Sequence, residues 1–528
     1  MEENKVLLEL IKEGKTLEEI MAANGVISSN LDSFTLSFIK SLFSLVVSIK
    51  DSVDSSNNKI TQLTDQSQAL TEQVQALVNL MQAKNKINIT NSSIPPSKEG
   101  YSKPNRNRSL REPSSRKPGA QKGHKGNGLA KMACDIVDRK DHYPKECLCC
   151  TNFSSCLSLM RKVKSGSVYE VKTVLIDNEH VAYSVVCPKM NKLLTATMPE
   201  EVKSTQQYGN SIKGIIVDTW ATGITSIDRL ASLIEEKIGK RIANGTIMKV
   251  IKDFASKCGS VVEKIKNYIT RAKVKGADET GLRTDGSLYW LHTICNEKAT
   301  YLYSDKKRGF DAIENDKTLL NSNGALIHDC WSPYFKLDNL KHGICLQHIQ
   351  RNLREVALLE KEHEEYFKRI EDFLLMLLRK KNEAINRGDT QFTAEQIAKW
   401  KIEFLTLLDE GLTTFKRPKR RSVLKLGKIP EGKARSLLLR LMKHIDAVFL
   451  FIEDFDIWFT NNCSEISFRQ SKVRQYVSKC FRTKEGLSTF ATIMSVFDTT
   501  KKNNINRMKM INAVLTGTAD KLLDPILV

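Results

Sequence analysis

Three acidic residues that lie far apart in the sequence could together bind divalent metal ions. Asp278 and Asp329 each end an apolar run, in VKGADETG and GALIHDC, and Glu465 follows two asparagines in NNCSEISFRQ. Carboxylate oxygens are the ligands that Mg²⁺ and Mn²⁺ prefer, and such sites leave coordination positions open for phosphates. Two ions held in this way can activate an attacking water or hydroxyl and stabilise a leaving oxygen. These residue types therefore indicate phosphodiester chemistry.

Each acid also has a purely structural interpretation. Asp278 could cap a turn with the residues that follow it, and Asp329 could cap a helix that begins near Trp331. Glu465 lies close to a helix start, where a carboxylate could do no more than offset the helix dipole by about 0.3–1 kcal/mol. The elements that carry these acids must decide between the two interpretations.

Basic residues follow Glu465 closely, as is typical of a surface that binds a polyanion. Those that we expect to contact DNA phosphates in this run are Arg469, Lys472, Arg474 and Arg482. The whole chain has a formal net charge of +21 and a pI near 9.3. Such an excess usually indicates a nucleic-acid partner. The alternative is a basic protein without one, which the clustering of the charge disfavours.

The residues from Lys273 onward predict a sheet that brings two of the acids together. Aromatic and β-branched runs alternate with turn signals at Asp285-Gly286 and at Asn296-Glu297, which predicts three strands in a meander, the first ending in Asp278. A helix from Gly309 to Leu320 and a short buried strand ending in Asp329 should follow. This β-β-β-α-β order is that of a ribonuclease-H-like domain, in which the first and fourth strands are neighbours. We therefore expect Asp278 and Asp329 to meet.

The third acid must come from a helix that packs on this sheet. Residues 346–455 are helical in pattern and too long for a loop, so they predict a helical insertion. Asn461 or Asn462 would then cap the next helix, with Glu465 in about its first turn.

The N-terminal region predicts helices and an oligomerisation element. Residues 1–35 contain short amphipathic helices that could form a helix-turn-helix, although ordinary helical hairpins share this pattern. Residues 36–90 carry apolar residues at alternating steps of three and four, which predicts a coiled coil and a homo-oligomer. The alternative is an amphipathic helix that folds onto its own domain.

A basic linker and a small cysteine-containing module follow. Residues 91–130 are rich in Pro, Gly, Ser, Lys and Arg and predict a disordered linker. We expect four of its cations to bind DNA: Arg116, Lys117, Lys122 and Lys125. In residues 131–200, Cys147 and Cys150 form half of a zinc knuckle, and Cys187 would be a third ligand. Met190 stands where a fourth cysteine belongs, and Cys149, Cys156 or His142 could substitute, so a Zn²⁺ site and a metal-free module both remain open.

These patterns predict a multidomain α+β protein. It would have a ribonuclease-H-like α/β catalytic core, a large helical insertion, N-terminal helices with a coiled coil, and the zinc-knuckle-like module. Helical residues 201–270 could bind DNA or serve in packing, residues 271–345 would begin the core, and residues 456–528 would complete it. Twelve cysteines indicate reduced thiols. We expect no signal peptide and no membrane span, since the apolar stretch near residues 34–50 is short and interrupted by Lys40.

The chain resembles DDE transposases of the insertion-sequence-66 family, the transposase-C type, from about residue 60 to residue 515. The motifs that carry the resemblance are NSSIPPSKEG, CLCC, ADETGLRTDGSLYWLHT, GALIHDCWSPYF, HGICLQHIQRNLRE, LLLRLMKHIDAVFLFIEDFDIWFTNN and SKCFRTKEGLSTFATIMSVFDTTKKNNIN. The resemblance implies that Asp278, Asp329 and Glu465 are the catalytic acids and that Mg²⁺ or Mn²⁺ is the cofactor. It also implies that Arg469, Lys472 and Arg482 contact DNA near the scissile bond.

The resemblance further implies a bacterial, cytoplasmic and nucleoid-associated protein. Its partners would be double-stranded DNA at the terminal inverted repeats, target DNA joined to a 3′-hydroxyl, and accessory proteins of the same element. His342, Cys345 and His348 recur near the second acid in such proteins, and packing is their simplest interpretation. The family pattern after the asparagines has an arginine where this chain has Ile466. The alternatives are therefore a catalytically defective DNA-binding protein or regulator, and a structural coiled-coil adaptor.

Overall fold

The computed structural model describes residues 13–25, 32–86, 139–163, 168, 174–417 and 431–527. The chain divides into two compact units. The first comprises Met1–Ser102 with Arg351–Arg369, and the second comprises Lys103–Gln350 with Ile370–Val528. Each unit is described by itself below.

The first unit begins with a short helix and continues with a very long one. Helix α1 spans Leu17–Ala23 and starts with a capping box, in which Thr16 and Glu19 each accept from the other's backbone N–H. Helix α2 spans Ser33–Lys86, 54 residues. The first helix of the predicted helix-turn-helix lies mostly outside the described residues.

Helix α2 exposes the apolar residues that predicted a coiled coil. Ile49, Leu63, Leu70 and Leu77 are each more than half exposed. The segment Ser33–Asn79 is also long and apolar enough, by length and composition, to cross a membrane, a test that helices of soluble proteins pass as well. The coiled coil stays a prediction, because the structure contains one chain and no partner for this seam.

The second unit starts with small elements and then a helical layer. The small elements are α3 (Lys145–Leu148), α4 (Phe153–Cys156) and an antiparallel hairpin of β1 (Ser184–Cys187) and β2 (Lys192–Thr195). The helical layer contains α5 (Asn210–Ala221), α6 (Ile227–Ile238), α7 (Asn244–Lys257) and α8 (Gly259–Arg271). Ser226 caps α6 and Gly239 ends it with a φ of 72°. Ile216, Phe254 and Ile265 from this layer are fully buried.

A five-stranded mixed sheet lies at the centre of the second unit. Its strands are β3 (Val274–Thr284), β4 (Ser287–Cys295), β5 (Thr300–Asp305), β6 (Ala325–His328) and β7 (Lys341–Ile344). The spatial order is β5-β4-β3-β6-β7, with β3 pairing antiparallel to β4 and parallel to β6. The predicted adjacency of the first and fourth strands is therefore confirmed.

The elements in and around the sheet are of the predicted types, but some of them differ in length from the prediction. Asp285 and Gly286 have φ of 49° and 69°, the left-handed pair that a two-residue hairpin needs. Strand β3 continues to Thr284, so Asp278 lies inside the strand and not at its end. The predicted helix from Gly309 to Leu320 is shorter, with α9 spanning Phe310–Asp316. The long antiparallel pairing with β4 extends β3 beyond the short stretch that pairs with β6.

Helices fill the range of the predicted insertion and continue towards the end of the chain, and Arg351–Arg369 among them belong to the first unit. They are α10 (Leu346–Leu359), α11 (Glu364–Arg387), α12 (Ala394–Thr414), α13 (Lys433–Lys443), α14 (Ile445–Glu453), α15 (Asn462–Ser467), α16 (Arg469–Ser478), α17 (Lys484–Lys502), α18 (Arg507–Leu515) and α19 (Asp520–Leu523). Helix α17 covers the edge strand β5. Ser495 and Thr499 accept hydrogen bonds from the backbone N–H groups of Leu302 and Thr300. These hydroxyls give hydrogen-bond partners to backbone N–H groups of the edge strand, which has no neighbouring strand on that side.

Candidate catalytic site

The parallel pairing of β3 and β6 sets two acids side by side. Gly276 on β3 is the register partner of Ile327 on β6. Asp278 and Asp329 each lie two residues beyond this pair, and so they reach the same level. Their carboxyl oxygens, together with one of Glu279, all lie within 4.8 Å of one another. The prediction that Asp278 and Asp329 lie close together is thus confirmed.

The carboxyl of Asp278 is in an environment that disfavours its charge. Burial raises its pKa well above the usual range, and the nearby Glu279 and Asp329 carboxylates raise it further, while His348 opposes them. The Glu279 backbone N–H donates to Asp278 Oδ1 at 2.9 Å. Crowding of carboxylates in a buried place is costly unless a cation or protons compensate it.

Asp329 begins a tight turn after β6. Its Oδ1 accepts from the Trp331 backbone N–H at 3.0 Å, and Cys330 between them has a φ of 70°. The predicted helix at Trp331 is absent, so Asp329 stabilises a turn through this hydrogen bond and does not cap a helix. Asp278 and Asp329 are both half-buried.

Glu279 is a third carboxylate at this place, and the sequence did not single it out. Arg308 Nη2 lies 2.8 Å from its Oε1, and the Tyr334 hydroxyl donates to its Oε2 at 2.7 Å. Burial, and then the charge of Asp329, raise the pKa of Glu279 to about 7 against these two partners. In the sequence, Arg308 is 29 positions from Glu279 and Tyr334 is 55 positions from it. No local pattern could therefore have revealed the arrangement.

Arg308 is itself held between two aromatic rings. Its guanidinium carbon lies 4.9 Å from the Trp290 ring centroid and 4.3 Å from that of Trp331. Such stacking fixes the guanidinium while it pairs with Glu279. Glu279 thus belongs to a positioned network of its own, beside the Asp278–Asp329 pair.

Helix α15 brings Glu465 to the sheet. Asn461 occupies the N-cap position, yet its side chain does not cap the helix. Instead its Nδ2 donates to the Ala277 carbonyl at 2.8 Å, and its Oδ1 accepts from the Ser464 hydroxyl at 2.8 Å. Glu465 lies in the first turn of the helix, as predicted. The asparagine therefore ties the helix start to the strand that carries Asp278.

His348 lies beside Glu465 and within electrostatic reach of Asp278. Its Nε2 is 3.8 Å from Glu465 Oε1, and these two residues form a second group of possible metal ligands with Cys345. Burial alone would lower the pKa of His348. The hydrogen bond and charge of Cys345 and the charges of Asp278 and Glu465 prevail and raise it to about 9. His348 therefore feels both Asp278 and Glu465, and all three acids belong to one electrostatic neighbourhood.

The absence of a side chain at Gly276 permits this approach. A Cβ at position 276 would lie 2.1 Å from Asn461 Oδ1 and 2.8 Å from Ser464 Oγ. Asn461 is buried and hydrogen-bonded, so it has little room to move.

We expect Gly276→Ala to push α15 away from β3. The variant should lose about 1–3 kcal/mol of stability through overpacking. If the chain nicks element-end DNA, as the resemblance implies, nicking should fall by about 10²-fold, since a displacement near 1 Å of an essential group has effects of this size. Gly245→Ala is the matched control, because nothing lies within 4 Å of the added Cβ. Thermal unfolding and a nicking assay measure both effects, and a Gly276→Ala protein that matches the parent in both would contradict this role.

The basic residues after Glu465 divide into exposed and buried ones. Arg469 and Arg482 are exposed and free to meet a polyanion. Lys472 is half-buried, and its Nζ donates to the Gly281 carbonyl at 3.1 Å. Burial lowers the pKa of Lys472, and the charge of Asp278 opposes that change. Lys472 therefore contacts β3 near enough to Asp278 for the charge of that carboxyl to act on it.

Arg474 is buried, which contradicts its predicted contact with DNA. It is only 7% exposed, its guanidinium hydrogen-bonds the Trp220 carbonyl, and it stacks 4.2 Å from the Trp220 ring centroid. Its partner lies 254 positions away, so the run of cations in the sequence concealed an inward-facing residue. Arg116, Lys117, Lys122 and Lys125 lie outside the described residues.

The predicted zinc ligands cannot be assembled from the described side chains. Cys150 is exposed and Cys187 at the end of β1 is half-buried, while the side chain of Cys147 lies outside the described part. Within that part, the groups that could hold a metal are the two at the acids. The zinc site stays a prediction.

The fold and the site define a mixed α and β protein with clustered carboxylates suited to a divalent cation. The chain belongs to the IS66 transposase family: the family model described as "Transposase IS66 family" matches residues 206–489, more than half of the chain. The matched segment contains the five-stranded sheet, all three predicted acids and the basic run after Glu465. No curated protein matches the chain.

Proposed function

We propose that this transposase-family chain is a DDE-type enzyme that cuts and joins DNA at the ends of a bacterial insertion sequence. Asp278, Asp329 and Glu465 would be its catalytic acids, on a ribonuclease-H-like core. The observation that carries the proposal is the register that sets Asp278 beside Asp329, with His348 linking them to Glu465.

The donor set fits Mg²⁺ or Mn²⁺. Asp278, Glu279 and Asp329 supply hard oxygen ligands within 4.8 Å of one another, and Glu465 belongs to a second group of possible ligands with Cys345 and His348. Burial, and then the charges of Glu279 and Asp329, raise the pKa of Asp278, and a bound cation would offset those charges. Asp278 and Asp329 are both half-buried, so an accessible part of each remains for the approach of a phosphate. When bound, a pair of such ions activates the attacking oxygen and stabilises the leaving one.

The remaining residues would position the acids and the DNA. Asn461 and Gly276 hold α15, and with it Glu465, against β3. Arg469 and Arg482 are exposed beyond Glu465 and would bind phosphates of the double-stranded element ends and of target DNA. Ile466 is 42% exposed where the family pattern has an arginine, so this phosphate surface has one cation fewer.

Other parts of the chain would serve assembly and DNA capture. The exposed apolar seam of α2 supports a coiled-coil homo-oligomer. The basic linker would add salt-sensitive DNA affinity, and accessory proteins of the element could join the complex. Proteins of this family are typically soluble and cytoplasmic, and we propose the same for this one. A Zn²⁺ site at Cys147, Cys150 and Cys187 and a metal-free module both remain open.

Metal dependence tests the proposal directly. The parent protein should nick element-end DNA with Mg²⁺ or Mn²⁺ and should not nick it with excess EDTA, because clustered carboxylates without a cation cannot stabilise the transition state. DNA binding in a mobility-shift assay should persist in EDTA and weaken steeply with salt. Binding without nicking under either metal would favour the defective regulator. Absence of binding at moderate salt would favour the coiled-coil adaptor.

A further inference from the structure

Two cysteines face each other where α15 meets the sheet. Cys463 lies in the first turn of α15, and Cys295 is the last residue of β4. Their sulfur atoms are 2.9 Å apart, although the residues are 168 positions apart in the chain. Both are free thiols. A disulfide bond has an S–S length of about 2.05 Å, so the two sulfurs need to approach by roughly 0.9 Å to form one.

The surroundings of the two sulfurs differ in a way that separates their roles. Lys502 Nζ lies 3.1 Å from Cys463 Sγ, and the Cys463 thiol is also 3.2 Å from the Asn296 carbonyl. Cys463 is half-buried, whereas Cys295 is fully buried beside the Ser464 hydroxyl at 3.4 Å. An oxidant would therefore reach Cys463 first.

Lys502 is itself firmly placed beside Cys463. Its Nζ donates to the Asn296 carbonyl at 2.6 Å and to the Ala299 carbonyl at 3.0 Å. These carbonyls belong to the turn between β4 and β5, so the ammonium is anchored on the sheet. The cation next to the sulfur is thus a built feature of the fold and not an exposed, mobile side chain.

We propose that Cys463 and Cys295 are a peroxide-sensitive thiol pair whose disulfide fastens α15 to β4. The Cys463 sulfur attacks hydrogen peroxide, the O–O bond breaks, the departing hydroxide takes the Cys463 thiol proton and leaves as water, and a sulfenic acid forms. The Cys295 sulfur then attacks the Cys463 sulfur, the S–O bond breaks and water leaves with the Cys295 proton. Two thiols and one peroxide thus become one disulfide and two waters.

The bond would constrain the helix that carries Glu465. In the reduced protein, Asn461 holds the start of α15 to β3 through the Ala277 carbonyl. A disulfide at Cys463 adds a covalent attachment to β4 within the same helical turn. The proposal concerns a modification site, and it holds whether or not the chain cuts DNA.

Peptide mapping of the oxidised full-length protein tests the pair. After treatment with hydrogen peroxide and alkylation of the remaining thiols, a non-reducing digest should contain one linked peptide with Cys295 and Cys463. Its mass should be lower by two hydrogen atoms than that of the separate peptides, and dithiothreitol should release both. Hydrogen exchange of the amides at residues 462–467 should slow by about tenfold or more on oxidation, because local opening of α15 is suppressed.

Two variants sharpen the result. Cys463→Ser should lose the linked peptide and the change in hydrogen exchange. Cys480→Ser, which removes a half-buried thiol in the segment after α16, should keep both. Absence of the linked peptide in the oxidised parent would overturn the proposal, even if Cys463→Ser fails to fold. A linked peptide without slower exchange in α15 would overturn the fastening of the helix.

Discussion

Asp278→Asn is expected to reduce metal-dependent nicking by on the order of 10³-fold while leaving the fold intact. The change keeps the shape of the side chain and removes a charged ligand, and the loss of a metal's action costs several kcal/mol in the transition state. Burial and the Glu279 and Asp329 carboxylates already raise the pKa of Asp278. Neutralising it should therefore raise the thermal unfolding temperature of the metal-free protein, or at least not lower it.

Opposite changes in activity and stability are the signature of a functional acid. Asp285→Asn makes the same chemical change in the exposed turn of the same hairpin, where asparagine suits the left-handed backbone. It should nick like the parent. If Asp278→Asn nicked like the parent, or if it lost stability as much as activity, Asp278 would be a structural residue.

Glu465→Gln is expected to reduce nicking by a similar factor, again on the order of 10³-fold, with DNA affinity unchanged. The variant keeps the helix start and the bulk of the side chain, and it removes the negative charge that faces His348 at 3.8 Å. A nicking assay with Mg²⁺ on element-end DNA, with a parallel mobility-shift assay, separates cutting from binding.

Glu485 offers a matched control for the helix-dipole interpretation of Glu465. Both glutamates lie in the first turn of a helix, Glu485 in α17, but Glu485 is exposed and belongs to neither group of possible metal ligands. Glu485→Gln should lose no more than about 0.3–1 kcal/mol of stability and no activity. Equal effects of the two substitutions on nicking would reduce Glu465 to a residue that only stabilises its helix.

Local patterns were sufficient to locate the strands and to pair the first two acids. Aromatic and β-branched runs bounded by Asp285-Gly286 predicted the meander, because strand preference and turn geometry are properties of neighbouring residues. The order of elements then predicted that β3 and β6 would be adjacent, and the register of Gly276 with Ile327 confirms it. The position of Glu465 in the first turn of a helix was likewise apparent from the preceding asparagines.

The predicted ends of the strands were less accurate than the prediction of which segments form strands. The sequence placed Asp278 at the end of its strand, whereas β3 continues to Thr284 by pairing with β4. Residues beyond Asp278 read as a turn when taken alone. Cross-strand hydrogen bonds decided their conformation, and those bonds depend on a partner strand.

Distant partners account for what only the tertiary structure decided. Glu279 joins the acids because Arg308 and Tyr334 reach it from elsewhere in the fold, and Arg474 turns inward because Trp220 offers a ring and a carbonyl. The sequence by itself determined which residue types could hold a metal and which strands would carry two of them. Folding decided which charges are buried and which are exposed, and it placed His348 where the charges of both Asp278 and Glu465 act on it. The reason is that burial and long-range contacts depend on residues that no local pattern brings together.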